Sequence, residues 1–282
     1  MREIETIKKP VFWLTLFFSL IVVAIWQWPT SSLHLIICDV GQGDSALITY
    51  QNTQILIDGG PNSQVLDCLG EHLPFWDREI EMVINSHPDS DHLSGLIDVI
   101  ERYRVRYFIL NSVGKDSEVF REFQQLVEAE GARVYFPQKG DRLKVGLAEL
   151  AILWPLSQQK VLGATTLERE INETSIVFQL TYGQFDALFP GDISSEIESQ
   201  LDLTDIEVLK VPHHGSKYST SQEFLEKIDP ELAVISVGKN SFGHPTEEVL
   251  KRLSDQVDKI LRTDQEGEIE IVTDGEGWGV RK

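Results

Sequence analysis

The chain has 282 residues, 41% of them hydrophobic, enough to bury a sizeable core in one large domain or two small ones. Its 45 acidic residues against 25 basic give a net charge of −20. Long-range electrostatics therefore repel a polyanion and argue against a dedicated nucleic-acid-binding domain, unless bound cations reverse the local field. The two cysteines, Cys38 and Cys68, fit no metal-knuckle spacing. Pairing outside the cell is open to them, but Cys38 sits in an apolar strand and reads as a buried thiol.

From the amino end, Arg2, Lys8 and Lys9 precede the uncharged run between Pro10 and Pro29, which is long enough to cross a bilayer. Trp26 and Trp28 fall where an interfacial aromatic belt belongs. The reading is a basic cytoplasmic segment over 1–10, a single transmembrane signal anchor over 11–28, and one extracytoplasmic domain over 33–282. No small-residue cleavage site follows, which favours an uncleaved anchor in the cell membrane.

From Leu33 the pattern alternates between strands and helices. LHLIIC and ALITY read as strands joined through the turn at Gly41-Gln42-Gly43-Asp44, and QILID is a third, ending at Asp58-Gly59-Gly60. SQVLDCLGEHL has helical spacing and MVIN is a short buried strand. The run Ser86-His87-Pro88-Asp89-Ser90-Asp91-His92 then brings imidazoles and carboxylates into one loop, a density of divalent-cation ligands that neither a core nor a surface requires. LSGLIDVIERY continues it as a helix, followed by strand YFIL, a helix closed by Gly131, and strand RVYF.

The second half repeats this grammar. LAELAIL, SIVFQLTY, FDALF, IEVLKV, LAVISV and GEIEIVT read as strands; ISSEIESQL, EFLEKI and TEEVLKRLSDQV read as helices. Gln158 to Glu173 reads as a polar loop. Such an α/β order predicts a sandwich with sheets inside and helices outside. Asp192 follows a strand behind Gly191, His213 and His214 end another, and His244 follows a third, all on the edge where the first cluster emerges.

These motifs jointly resemble the metallo-β-lactamase fold superfamily, and within it the hydrolase domain of ComEC-type competence proteins, the DNA-uptake channels of bacteria. His87-x-Asp89-x-Asp91-His92 is similar to the superfamily's His-x-His-x-Asp-His, with aspartate at the second position. Asp39 to Ser45, Leu56 to Gly60, Pro190-Gly191-Asp192, Pro212 to Ser216, Gly243-His244-Pro245 and Arg262 to Gly267 match in order.

The resemblance implies an αββα sandwich with two divalent metal ions, manganese or zinc, at one edge. Asp192 would bridge them, His87 and Asp89 hold one, and Asp91, His92 and His244 hold the other. Which of His213 and His214 faces the site is left open; the working assignment takes His213 as ligand and His214 as phosphate contact or proton donor. Asp91 would orient the attacking water. The superfamily's third-motif histidine has no counterpart, so Asn172 or Ser175 takes its place. Asp58 would orient ligands from behind. The loop of Asp39, Gln42, Gly43, Asp44 and Ser45 would meet a phosphate, with Lys210 and Ser216 as neighbouring contacts.

A single anchor leaves no room for a pore. The expected function is an anchored dinuclear-metal phosphodiesterase or nuclease acting on DNA beside a separate uptake-channel protein. Two alternatives stand beside it: an esterase for small or envelope-linked phosphorylcholine-like substrates, and a non-catalytic partner of the channel. Basic clusters at Arg102, Arg104, Arg106 and at Lys139, Arg142, Lys144 read as solvated surface.

Overall fold

A computed structural model of the chain describes residues 3–26, 31–156 and 168–281. The first sheet contains β1 (Leu33–Ile37), β2 (Ala46–Tyr50), β3 (Thr53–Ile57), β4 (Glu79–Asn85), β5 (Arg104–Leu110) and β6 (Arg133–Tyr135). The second contains β7 (Arg142–Val145), β8 (Ala148–Trp154), β9 (Val177–Tyr182), β10 (Phe185–Phe189), β11 (Val208–Lys210), β12 (Leu232–Ile235) and β13 (Lys259–Arg262). The chain then returns to the first sheet with β14 (Ile269–Thr273) and β15 (Trp278–Arg281), giving the orders β15-β14-β1-β2-β3-β4-β5-β6 and β13-β12-β11-β10-β9-β8-β7.

The strands read as nearly continuous apolar runs because both faces of each sheet are buried. On β1, Leu33, Leu35 and Ile37 point into the layer between the sheets, and Ile36 points outward. On β12, Leu232 and Val234 meet that same layer, while Ala233 and Ile235 face the helices of the other side. Helices α2 (Val65–His72), α3 (Ser90–Arg102) and α4 (Glu118–Glu130) cover the first sheet. The second is covered by α6 (Ser195–Glu198), α7 (Gln222–Ile228) and α8 (Glu247–Gln256), and the short α5 (Glu168–Asn172) and α9 (Thr263–Glu266) punctuate loops. The layers are therefore αββα.

Strand direction collects the site. β3, β4 and β5 run parallel, as do β10, β11 and β12. Because β1 and β3 are both antiparallel to β2, β1 shares their direction. The carboxyl ends of β1, β3, β4, β10, β11 and β12 thus open on one edge, the usual place for a ligand site in such sheets.

Helix α3 is seated against that edge by backbone contact. Gly95 N donates to Gly60 O at 3.0 Å and Gly59 N donates to His92 O at 2.6 Å. A Cβ on Gly95 would lie 2.0 Å from Gly59 O and 2.5 Å from Asn62 O.

One expectation needs correction. Cys38 and Cys68 are not thiols but a disulfide, with Cα atoms 5.8 Å apart. Cys38 lies just past β1, where its side chain reaches α2, so a buried strand end and a helix face supply the pair. The transmembrane span expected over 11–28 runs past the described residues, and among those no helix is long and apolar enough to cross a membrane. α1 (Glu3–Trp26) is a helix, but its described side chains run only over 11–22, and residues 27–30 lie outside the described residues. The expected loop from Gln158 also lies outside them as far as 167, and its end forms α5.

In an exposed helix, Gly→Ala stabilises by about 1 kcal/mol. Gly95→Ala is expected to do the opposite and lower the denaturation free energy by about 1–3 kcal/mol, because the new methyl must displace backbone. Equilibrium denaturation decides the sign.

Candidate metal centre

The first ligand cluster forms where β4 ends and α3 begins. Asp89 takes the N-cap position with extended backbone (φ −79°, ψ 147°), so Asp91 and His92 fall in the first turn of α3. The positive end of the helix dipole favours a carboxylate there. Behind this turn lies Asp58, 1% exposed, at φ 54° just past β3. Its Oδ1 accepts from Ser86 N at 2.8 Å and Asn85 Nδ2 at 3.0 Å, and its Oδ2 accepts from Ser86 Oγ at 2.6 Å and His92 Nδ1 at 2.9 Å.

These bonds set ring tautomers. His92 donates from Nδ1, leaving the lone pair on Nε2. Ser86 Oγ gives its proton to Asp58 and so accepts from His87 Nδ1 at 3.0 Å, which leaves the His87 lone pair on Nε2 as well. From the other sheet, His214 Nδ1 donates to Ser236 O at 3.0 Å, presenting a third Nε2.

The three Nε2 atoms and Asp192 Oδ1 are buried without a hydrogen-bond partner among the described residues. They converge: His92 Nε2 is 3.4 Å from Asp192 Oδ2, and His214 Nε2 lies 3.7 Å from that oxygen and 3.4 Å from Asp91 Oδ2. Ligand atoms of His87, His92 and Asp192 lie within 4.8 Å of one another, as do those of Asp91, His92 and His214. Buried donors and acceptors left unsatisfied cost about 1–3 kcal/mol each, so a cluster of lone pairs aimed at one volume fits divalent cations.

Charge coupling is strong. Burial opposes the charge on His214, but Asp44 and Asp192 outweigh it and push its pKa up to about 10. His92 is likewise raised well above its usual value by Asp192 and Asp58 against burial. Burial opposes ionisation of Asp91, yet the neighbouring His214 and His92 rings bring it down to about 2. Asp192 is held well below the carboxylate range by His92 and His214, again against burial. His87 moves the other way, lowered by burial and by the charge on His92.

The adjacent histidines do not lie on a strand. Pro212–Gly215 is a tight 3-10 turn in which His213 and His214 both adopt left-handed backbone (φ 50° and 52°), so strand alternation does not sort them. His214 enters the cluster with Asp91 and His92. His213 stays 30% exposed, its Nε2 4.0 Å from Asp192 Oδ2. His244 also stays at the rim, its ring 5.6 Å from His213 and stacked on Phe242.

Asp89 sits between His87 Nε2, at 3.8 Å, and Lys115 Nζ, at 2.6 Å. Lys115 was not anticipated; a lone lysine in a loop after β5 carries no motif. Ser86 and Ser236 were missed as well, since a serine or a carbonyl that sets a tautomer leaves no pattern in sequence.

The glycine loop makes several hydrogen bonds within the fold. Asp44 N donates to Asp91 O at 3.1 Å, Ser45 Oγ to Asp58 O at 3.1 Å and Gly41 N to Asp39 Oδ1 at 3.3 Å. Gln42 Oε1 accepts from Gly238 N at 3.3 Å. A Cβ on Gly43 would meet Asp91 O at 2.3 Å, so the loop packs closely against α3. Asp44 is buried between Lys210 Nζ at 2.6 Å and His214 Nδ1 at 3.2 Å. Ser175 Oγ accepts from Asp192 N at 3.3 Å and donates to Asn172 O at 2.7 Å, which braces Asp192. Ser216 closes the histidine turn, its N donating to His213 O at 2.9 Å. The basic clusters stay on the surface, where Arg106 pairs with Glu79 and Arg142 with Glu149.

The profile of the metallo-beta-lactamase superfamily matches residues 38–239. The chain belongs to the metallo-β-lactamase superfamily. It is 29% identical to ComE operon protein 3 of Bacillus subtilis over 82% of this chain and 32% of that protein. It is 28% identical to Competence protein ComA of Neisseria gonorrhoeae over 86% of this chain and 33% of that protein. The chain thus spans about a third of the length of these curated relatives. The fold is shared with the metallo-beta-lactamase fold protein YhfI of Bacillus subtilis, at TM-score 0.57 and 12% identity over 85% of this chain and 99% of that one. It is shared also with Igni18, a metallo hydrolase of Ignicoccus hospitalis, at TM-score 0.54 and 14% identity over 84% and 98%. Superfamily and donor set together fit a metal centre of the dinuclear type.

Asp58→Asn places an amide where four donors converge. It is expected to weaken metal binding by about 10–100-fold, as loss of an outer partner of a ligating histidine does, and metal titration measures it. Proton and metal compete for the same lone pairs, so metal affinity is expected to rise with pH up to about 10, where His214 loses its proton. For chelator-treated protein the stability slope has the opposite sign. A folded pKa above 6.5 contributes stability that is complete below about 6.5 and lost as pH rises through about 10. Metal titrations and melting curves across pH check both slopes.

Proposed function

We propose that the chain is a membrane-anchored, extracytoplasmic phosphodiesterase that cleaves DNA, working beside a separate DNA-uptake channel. The carrying observation is the convergence of three unpartnered Nε2 atoms on the Asp192 carboxylate. His87 and Asp89 would hold one divalent ion, manganese or zinc. Asp91, His92 and His214 would hold the other, and Asp192 would lie between, with His213 and His244 at the rim. Such ions supply Lewis acidity and a nucleophile at neutral pH.

The chain's own groups account for the rest. Asp91, 38% exposed on its side chain, faces both the cluster and solvent and is placed to take the proton of an attacking water. Asp58, Ser86 and Ser236 hold the three imidazoles in the required tautomer. Lys115, 31% exposed beside Asp89, puts a positive charge where an anionic ester approaches. An oxygen donor at Asp89, where the superfamily motif has a histidine, hardens the site toward manganese over zinc.

The DNA-related role is supported by relatives named as competence proteins. The extracytoplasmic location is supported by the Cys38–Cys68 disulfide, a bond that persists in oxidising compartments. Anchoring is supported by the uncharged sequence between Pro10 and Pro29 and by exposed Phe12, Trp13, Phe17 and Phe18 on α1. Removal of residues 1–30 is expected to shift the chain from the membrane to the soluble fraction.

The deciding experiment is cleavage of end-labelled single- and double-stranded DNA by the full chain with manganese or zinc. Asp192→Asn is expected to reduce cleavage by more than about 100-fold, beyond what outer partners carry. The net charge of −20 favours one competing reading, a small or envelope-linked phosphoester. Hydrolysis of a small chromogenic diester without DNA cleavage would select it. Metal binding with turnover of neither would leave a non-catalytic channel partner.

A further inference from the structure

A second set of metal-ligand side chains lies outside the centre described above. Cys38 and Cys68 belong to the apolar layer between the first sheet and its helices, and both are buried. Cys68 and His72 are four residues apart on α2 and share one face of it. Glu268 approaches from the turn before β14. One of its carboxylate oxygens lies within 4.8 Å of both sulfurs, and its Oε1 is hydrogen-bonded to His72 Nε2. Two sulfurs and a carboxylate oxygen therefore meet at one place, drawn from a strand end, a helix and a turn, and the His72 imidazole stands beside them through its bond to Glu268.

We propose that reduction of the Cys38–Cys68 disulfide converts this cluster into a four-ligand site for zinc or another thiophilic divalent cation, held by Cys38, Cys68, His72 and Glu268. Two thiolates with one imidazole and one carboxylate form a tetrahedral zinc donor set. The active centre has no sulfur ligand, so the two sites differ in the cations they select. Tetrahedral Zn–S bonds of about 2.3 Å place two sulfurs roughly 3.8 Å apart. Side-chain rotation reaches that separation from Cα atoms 5.8 Å apart.

The chemistry balances with a dithiol reductant. The S–S bond breaks, two electrons and two protons pass to the sulfurs, and the reductant becomes its own disulfide. Cation binding then releases both thiol protons, while His72 binds through Nε2 with its proton on Nδ1. In either redox state a cross-link joins α2 to the end of β1, one residue before the Asp39–Ser45 loop that braces α3.

The test uses the full chain, reduced with a dithiol that is then removed under nitrogen, and cobalt(II) as probe. The denatured sample must titrate two thiols. The reduced protein is expected to bind one more cobalt than the oxidised protein and to show a thiolate-to-cobalt charge-transfer band. Cys38→Ser and Cys68→Ser should each abolish the extra ion. His72→Ala and Glu268→Gln should keep the band but weaken binding at least about tenfold. Asp192→Asn, which alters only the active centre, should leave the band intact. A folded protein with two free thiols and no band overturns the proposal. A band indifferent to both His72→Ala and Glu268→Gln also overturns it, reducing the site to a bare dithiolate.

Discussion

The buried carboxylate of Asp58 is the interaction on which the site depends. It sits at the end of β3 and takes four hydrogen bonds, three of them from Asn85 and Ser86 at the end of β4. The fourth comes from His92 in the first turn of α3. One side chain thus joins two parallel strands to the helix that follows them and fixes where two imidazole lone pairs point. A carboxyl group this deep is tolerable only because each of its oxygens has two donors. The structural demand and the functional one are therefore met by the same bonds.

The rest of the centre is a problem of opposite charges in a poorly solvated space. Asp44, Asp89 and Asp192 are buried near His92 and His214, with Lys210 and Lys115 as the neighbouring ammonium groups. Lys210 neutralises Asp44 from beneath, which leaves Asp44 free to stand beside the His214 ring. The acidic surplus of the chain as a whole says nothing about this arrangement, because interactions of a few ångströms outweigh a screened long-range field. Surface charge governs which partner approaches, and the buried pairs govern what the centre can hold.

Where the structure departed from expectation, local backbone was the reason. Alternation along a strand offered no way to choose between His213 and His214, and it did not apply, because both occupy left-handed positions in a tight turn. The Asp39–Ser45 loop has the composition of a phosphate cradle, and its Asp44 N–H and Ser45 hydroxyl also tie it to α3 and to the end of β3. Cys38 looked like an ordinary strand thiol until α2 was packed across the end of β1. Each case involves two segments brought together, which no single stretch of sequence describes.

What the sequence by itself determined is the list of elements and the identity of the ligands. Strands with both faces buried announce themselves as apolar runs, α3 by its 3.6-residue spacing, and the cluster from His87 to His92 by a density of donors that packing does not explain. β7, β13 and β15 escaped notice, since strands of only four residues at a sheet edge carry too short a pattern to stand out from loops. Tertiary structure alone decided which donors face one another: His214 over His213, Lys115 on Asp89, Ser86 and Ser236 as the groups that set tautomers. Element identity is written in local periodicity. Donor convergence depends on strand order and direction, which place residues more than a hundred positions apart within hydrogen-bonding distance, as Lys210 and Asp44 are across 166 positions.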